Sequence, residues 1–202
     1  MSGIEIGRLL RSGTTGFVVG CKVQQSGAPS FGAMVWVPLE EGYQVYGIIY
    51  DIHIDDDGLV RQLITAENIS EEVLRDNREN RTVPVEIGVL ALGYEENGQV
   101  AHLLPPRPPL SLDVIYLCTP EEVVRFTGAG RLGYLRQILR DPKLPTDELL
   151  AAHLRQARTA HDAVGDNDWF DGAVQEVIAL LKDDRPRLMG VLAAACELER
   201  GL

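Results

Sequence analysis

The chain has 202 residues, 45% of them hydrophobic and 24% charged, with a formal net charge of −11. That length holds one large domain or two small ones around a real core, and the composition argues against disorder. Residues 1–128 carry 9 Lys+Arg against 18 Asp+Glu, and residues 129–202 carry 10 against 12; so acidic a first half repels phosphate backbones, and no direct nucleic-acid contact is expected of it.

Ile4 to Arg11 reads as a short strand, followed by the turn Ser12-Gly13-Thr14-Thr15-Gly16. Phe17 to Val23 is a second strand. Ala33 to Pro38 is a third, and its nearly continuous apolar run predicts burial on both faces or a place at a closed edge. Gln44 to Ile54 is a fourth. Strict alternation places Val45, Ile49 and Asp51 on one face and Tyr46, Ile48, Tyr50, Ile52 and Ile54 on the other. Gly47 inside it predicts a bend or bulge, as a barrel wall needs at its corners. Asp55-Asp56-Asp57-Gly58 reads as a tight turn, because an EF-hand loop would need aspartate where His53 falls and glutamate where Ile64 falls. Leu59 to Ile64 then returns as a strand.

Ser70 to Asn80 reads as one short helix or helical loop with Ser70 as a fair N-cap. Arg75, Arg78 and Arg81 recur every three residues there. They form a small basic face for a phosphate or acidic partner or, the better fit, pair with Glu71, Glu72 and Glu79 on a solvated helix. Val83 onward is a strand that turns at Glu96-Asn97-Gly98 and returns through Gln99 to His102; Asn-Gly between two apolar runs is a strong hairpin signal. Pro105-Pro106-Arg107-Pro108-Pro109 follows. Its prolines donate no backbone hydrogen bonds, so it reads as an extended strap at an edge or rim. Leu112 to Cys118 is the last strand. Thr119-Pro120-Glu121-Glu122 starts a helix with the pattern of a capping box, and that helix stops at Gly128.

The second half changes period. Leu132, Leu135, Ile138 and Leu139 mark a helix ending at Asp141-Pro142, and Thr146 begins another with Leu149, Leu150, His153, Leu154 and Ala157 on one stripe. Asp168 to Lys182 is a third, with Trp169, Phe170, Ala173, Val174, Val177, Ile178 and Leu181 inward. Arg185 to Arg200 is a fourth. Four amphipathic helices with short linkers predict a small bundle. The fold class is therefore α+β: a closed or nearly closed small β-barrel over residues 1–128, then an α-helical bundle over residues 129–202.

Candidate chemistry is sparse. Cys21, Cys118 and Cys196 are odd in number, far apart and set in apolar runs, which suits free thiols in a reducing cytosol. The start Met1-Ser2-Gly3-Ile4-Glu5 shows no signal peptide and no stretch is apolar enough for a membrane span, so a cytoplasmic protein without membrane insertion is expected. His53, His102, His153 and His161 show no metal spacing, and His161-Asp162 has no serine or cysteine nucleophile nearby in sequence. Gly128-Ala129-Gly130-Arg131-Leu132-Gly133 fits G-x-G-x-x-G, but it follows a helix rather than a strand, so it reads as a flexible joint. Trp169-Phe170, after an acidic turn, is an exposed partner anchor or, the better fit, a core contact.

The order Ile6-Gly7-Arg8-Leu9, Met34-Val35-Trp36-Val37, Val45-Tyr46-Gly47-Ile48-Ile49, Glu86-Ile87-Gly88-Val89-Leu90 and Leu103-Leu104-Pro105-Pro106-Arg107-Pro108-Pro109 resembles the HAS-barrel family over about residues 4–126. These are the small β-barrels of HerA translocases and ATP synthase subunits. The resemblance implies an assembly or docking module. There is no G-x-x-x-x-G-K-[ST], so ATP hydrolysis does not carry over. The expected function is non-enzymatic and needs no cofactor: a barrel for oligomerisation or partner docking, and a bundle for a second protein contact. The partner is the chain itself, an ATPase or another protein. Alternatives are an accessory factor of a HerA-type DNA-processing translocase or nuclease, and a small nucleotide-binding protein or enzyme with an unrecognised site. The partner-binding candidates are Arg75, Arg78, Arg81, Arg107, Trp169 and Phe170.

Overall fold

Among the described residues seven strands run in chain order: β1 (Ile4–Ser12), β2 (Gly16–Gln24), β3 (Met34–Glu40), β4 (Tyr43–Ile54), β5 (Thr82–Glu96), β6 (Gln99–Ala101) and β7 (Val114–Leu117). The structure is a computed structural model that describes residues 3–24, 29–40, 42–54, 65, 70–71, 82–141 and 144–200. The sheet order is β2-β1-β7-β3-β4-β5-β6, and β2 also pairs with β5. Six strands thus close an antiparallel ring, and β6 extends β5 beyond it as a hairpin. Closure leaves the ring without a free edge. The aspartate turn, the strand expected over residues 59–64 and Arg75, Arg78 and Arg81 lie outside the described residues.

Five helices follow: α1 (Pro120–Thr127), α2 (Leu135–Arg140), α3 (Thr146–Ala163), α4 (Trp169–Leu180) and α5 (Arg185–Arg200). The α1 start is the expected capping box. Glu122 N donates to Thr119 Oγ1 at 3.3 Å, and Thr119 N donates to Glu122 Oε2 at 2.8 Å. Helix α3 is central to the helical layer and touches α1, α2, α4 and α5.

Two apolar cores share one wall. Leu9, Phe17, Val19, Val35, Val37, Val45, Ile49, Ile87 and Ile115 fill the barrel. Met34, Tyr46, Ile48 and Leu92 point outward from it and meet Phe126, Tyr134, Leu135, Ile138, Leu149 and Leu154 of the helical side. This double burial explains the unbroken apolar run of β3.

The hairpin turn has Asn97 at φ 51° and Gly98 at φ 80°, the primed geometry that matches strand twist. Register shifts at Gly47, where a Cβ would collide with Val89, so the expected bulge is present. A second shift between Ile49 and Asp51 turns Ile52 inward, opposite Ile87. Strict alternation had put Ile52 on the outer face with Tyr46; the extra residue reverses it. Ile178, expected inward, is 37% exposed because α4 buries only Trp169, Ala173 and Val177 along one narrow stripe.

Candidate functional site

The proline strap crosses one end of the barrel, where β3 runs out and β4 begins. Pro105 and Pro109 are buried and Arg107 is exposed. Arg107 Nη1 donates to Glu40 Oε1 at 2.8 Å, and its guanidinium sits 4.8 Å over the Tyr43 ring. Tyr43 Oη donates to the Arg107 carbonyl at 3.4 Å, and Ser12 Oγ donates to the Pro109 carbonyl. Arg107 thus holds the strap to the rim.

The segment after the strap is laced to β1. Leu112 N donates to Leu9 O at 2.8 Å, Leu9 N donates to Asp113 O at 3.0 Å, and Leu110 N donates to Asp113 Oδ2 at 2.7 Å. Arg8 Nη1 donates to Leu112 O at 3.0 Å, and Ser111 Oγ donates to Leu10 O at 3.3 Å. On these adjoining backbones Leu10, Leu110 and Leu112 are 48%, 69% and 70% exposed. Leu112 is held at φ 74°, a left-handed conformation that leucine rarely adopts. Leu10 is the residue that bulges out between the β1–β2 pairs, and it lies over Gly20. Sequence reading missed all three leucines. The signal was Pro-Pro-Leu-Ser-Leu-Asp, two leucines between a proline run and a strand.

Trp169 is buried, stacked 4.3 Å from His161, and its Nε1 donates to Thr127 O at 3.5 Å. Phe170 is half-buried beneath the Arg158 guanidinium at 4.7 Å. The structure does not bring these two together with Arg107, which binds the opposite kind of element, the barrel rim. His161 sits 2.8 Å from Asp166 Oδ2 through Nδ1 and 2.7 Å from Thr127 Oγ1 through Nε2. Acid, imidazole and hydroxyl in line suggest a nucleophilic array. Here Thr127 is fully buried and its hydroxyl donates to Val123 O at 2.8 Å, so no substrate reaches it. The array instead locks α1, α3 and the turn before α4 together.

Gly128–Gly133 is a packed loop rather than a free joint. Gly130 has φ 54°, and a Cβ there would lie 3.0 Å from His102 Nδ1. The glycine spacing answers to this close approach.

Two polar clusters tie the helices to the barrel. In one, Tyr46 Oη donates to Glu95 Oε2 at 2.9 Å and accepts from Arg125 Nη2 at 2.7 Å, while Gln44 Nε2 donates to Glu95 Oε2 at 2.8 Å. Burial pushes the Tyr46 hydroxyl pKa up. In the other, Tyr134 lies between two histidine rings, 5.1 Å from His102 and 5.4 Å from His153. Burial lowers the pKa of both imidazoles, that of His153 to about 4; the Arg136 charge adds to the effect on His102.

At the barrel end away from the strap, a largely apolar cleft of about 530 Å³ opens between Ile4, Met34, Cys118, Val123 and Ala160. Among the described residues no three metal-ligating side chains converge, and no helix is long and apolar enough to cross a membrane. Comparison of the sequence with family models gives no match, and comparison with the curated proteins gives none either.

Proposed function

We propose that the chain is a non-catalytic assembly or adaptor protein of the cytoplasm, in which a HAS-like barrel docks a protein partner and the helical layer offers a second contact. The observation that carries this reading is the rim formed by Leu10, Leu110 and Leu112. Three leucines stay in water on backbone that β1 holds firmly, and one of them sits in a left-handed conformation. Strain of this kind costs of order 1–3 kcal/mol and persists where surrounding structure over-determines it, commonly at ligand clamps. Apolar side chains exposed together on a fixed backbone, beside the exposed Arg8, mark a surface suited to protein contact. The family resemblance supports the same reading by analogy, and puts forward a second copy of the chain or a ring ATPase of the HerA kind as the partner.

The test is light-scattering mass of the purified chain over a wide concentration range, followed by capture from lysate of the source cell. The reading expects a closed oligomer or a specifically retained protein. A monomer at every concentration that retains nothing contradicts it.

A further inference from the structure

His102 and His153 approach Tyr134 from different elements. His102 follows β6 on the barrel, and His153 is in the middle of α3. They are 7% and 1% exposed, and Tyr134 is fully buried. Each ring has one satisfied nitrogen: His102 Nε2 lies 2.9 Å from Phe126 O, and His153 Nε2 lies 3.0 Å from Tyr134 Oη. Nδ1 of each ring is buried without a hydrogen-bond partner. A second proton on either ring would therefore put a charge into the core that joins barrel and helices, with only a backbone group, Gly130 at His102 and Gly32 at His153, to receive the new N–H.

We propose that the His102–Tyr134–His153 cluster is a proton-sensitive latch: with both imidazoles neutral the helical layer is clamped to the barrel, and protonation of the pair releases it. Burial favours the neutral form of both rings and outweighs the backbone groups of Phe126 and Gly130 at His102 and of Gly32 at His153, which favour the protonated form. Arg136 on α2 opposes a charge on His102. His153 meets the Tyr134 hydroxyl and the backbone at Gly32, and among the described residues no carboxylate binds either ring. His161, by contrast, has Asp166 beside it and is not part of the latch. The barrel interior contains no histidine, and its six-strand ring closes on its own hydrogen bonds. Acid therefore acts on the seam and leaves the ring closed. Release uncovers the outer barrel wall at Met34, Tyr46, Ile48 and Leu92.

The test is amide hydrogen exchange of the full chain, corrected for intrinsic rates, between about pH 7.5 and about pH 4.5. The latch expects α2, α3 and α4 to lose protection while β1, β2 and β5 keep theirs. In His102→Gln/His153→Gln the midpoint of that loss moves down by about one pH unit or more. Imidazole resonances of the wild type give a reading that needs no variant: His102 and His153 should titrate together, in step with the loss of protection. Helices and barrel opening together, an unmoved midpoint in a folded double variant, or either histidine titrating while the seam stays protected would each overturn the proposal.

Discussion

Tyr134 Oη and His153 Nε2 stand 3.0 Å apart in a region where both side chains are essentially out of water. That bond fixes the turn after α1 against α3, and it makes the helical side sensitive to a single hydroxyl. Tyr134→Phe leaves the imidazole nitrogen unpaired, and such a group costs about 1–3 kcal/mol. The urea midpoint at neutral pH should fall accordingly with little change in slope.

The pH dependence has a definite sign. Burial holds His153 at about 4 in the fold, against an ordinary imidazole value of 6.5. Between those values the unfolded chain binds the proton and the folded chain does not. Stability should therefore fall as pH drops through this window, by about 3 kcal/mol from this residue, and the contribution levels off below about 4. Denaturant melts at a series of pH values measure it, and His153→Gln should flatten that part of the curve.

Two glycines should respond oppositely to alanine. A Cβ at Gly172, in exposed α4, meets nothing within 4 Å, so Gly172→Ala should stabilise by about 0.5–1 kcal/mol through helix propensity. A Cβ at Gly130 meets His102 at 3.0 Å in a left-handed backbone, so Gly130→Ala should destabilise by about 1–2 kcal/mol. Thermal melts of the two variants should move to opposite sides of the wild type.

The Tyr46 hydroxyl joins Arg125 of α1 to Glu95 of β5. Tyr46→Phe removes these two bonds and the one that Gln44 Nε2 donates to the hydroxyl, and it leaves a carboxylate that is 11% exposed with one fewer donor. A loss of about 1–3 kcal/mol is expected. Because Arg125 is half exposed, Arg125→Met should cost less. Chemical melts of both variants rank the two effects.

Much of the architecture was legible because local chemistry agreed with the fold. Asn97-Gly98 demands a primed turn, Thr119 and Glu122 cap α1 reciprocally, and the apolar run of β3 is buried on both faces. Ile52 was misplaced because a bulge adds one residue to β4, and no periodicity shows where a register slips. The rim leucines were passed over because exposed leucine looks like core in a sequence. The pairing of His102, Tyr134 and His153 joins residues far apart in the chain, which spacing alone does not reveal. Trp169 reads better as a core residue than as an exposed anchor, and its stacking on His161 shows it packed in the core.

Leu112→Asn separates docking from folding. Asparagine tolerates the left-handed conformation, so this change should raise the stability of the isolated chain by about 0.5–1 kcal/mol while removing apolar surface from the rim. A purely structural leucine would show no such split between melting temperature and binding.

The most direct measurement is quantitative capture by wild type and by Leu110→Asp/Leu112→Asn, from source-cell lysate supplemented with an isotope-labelled, untagged copy of the chain. The docking account predicts that at least one protein, or the labelled copy, is retained by the wild type and falls at least about tenfold in the equally folded variant. Identical retention by both, or no specific retention by either, would contradict the rim as a docking surface.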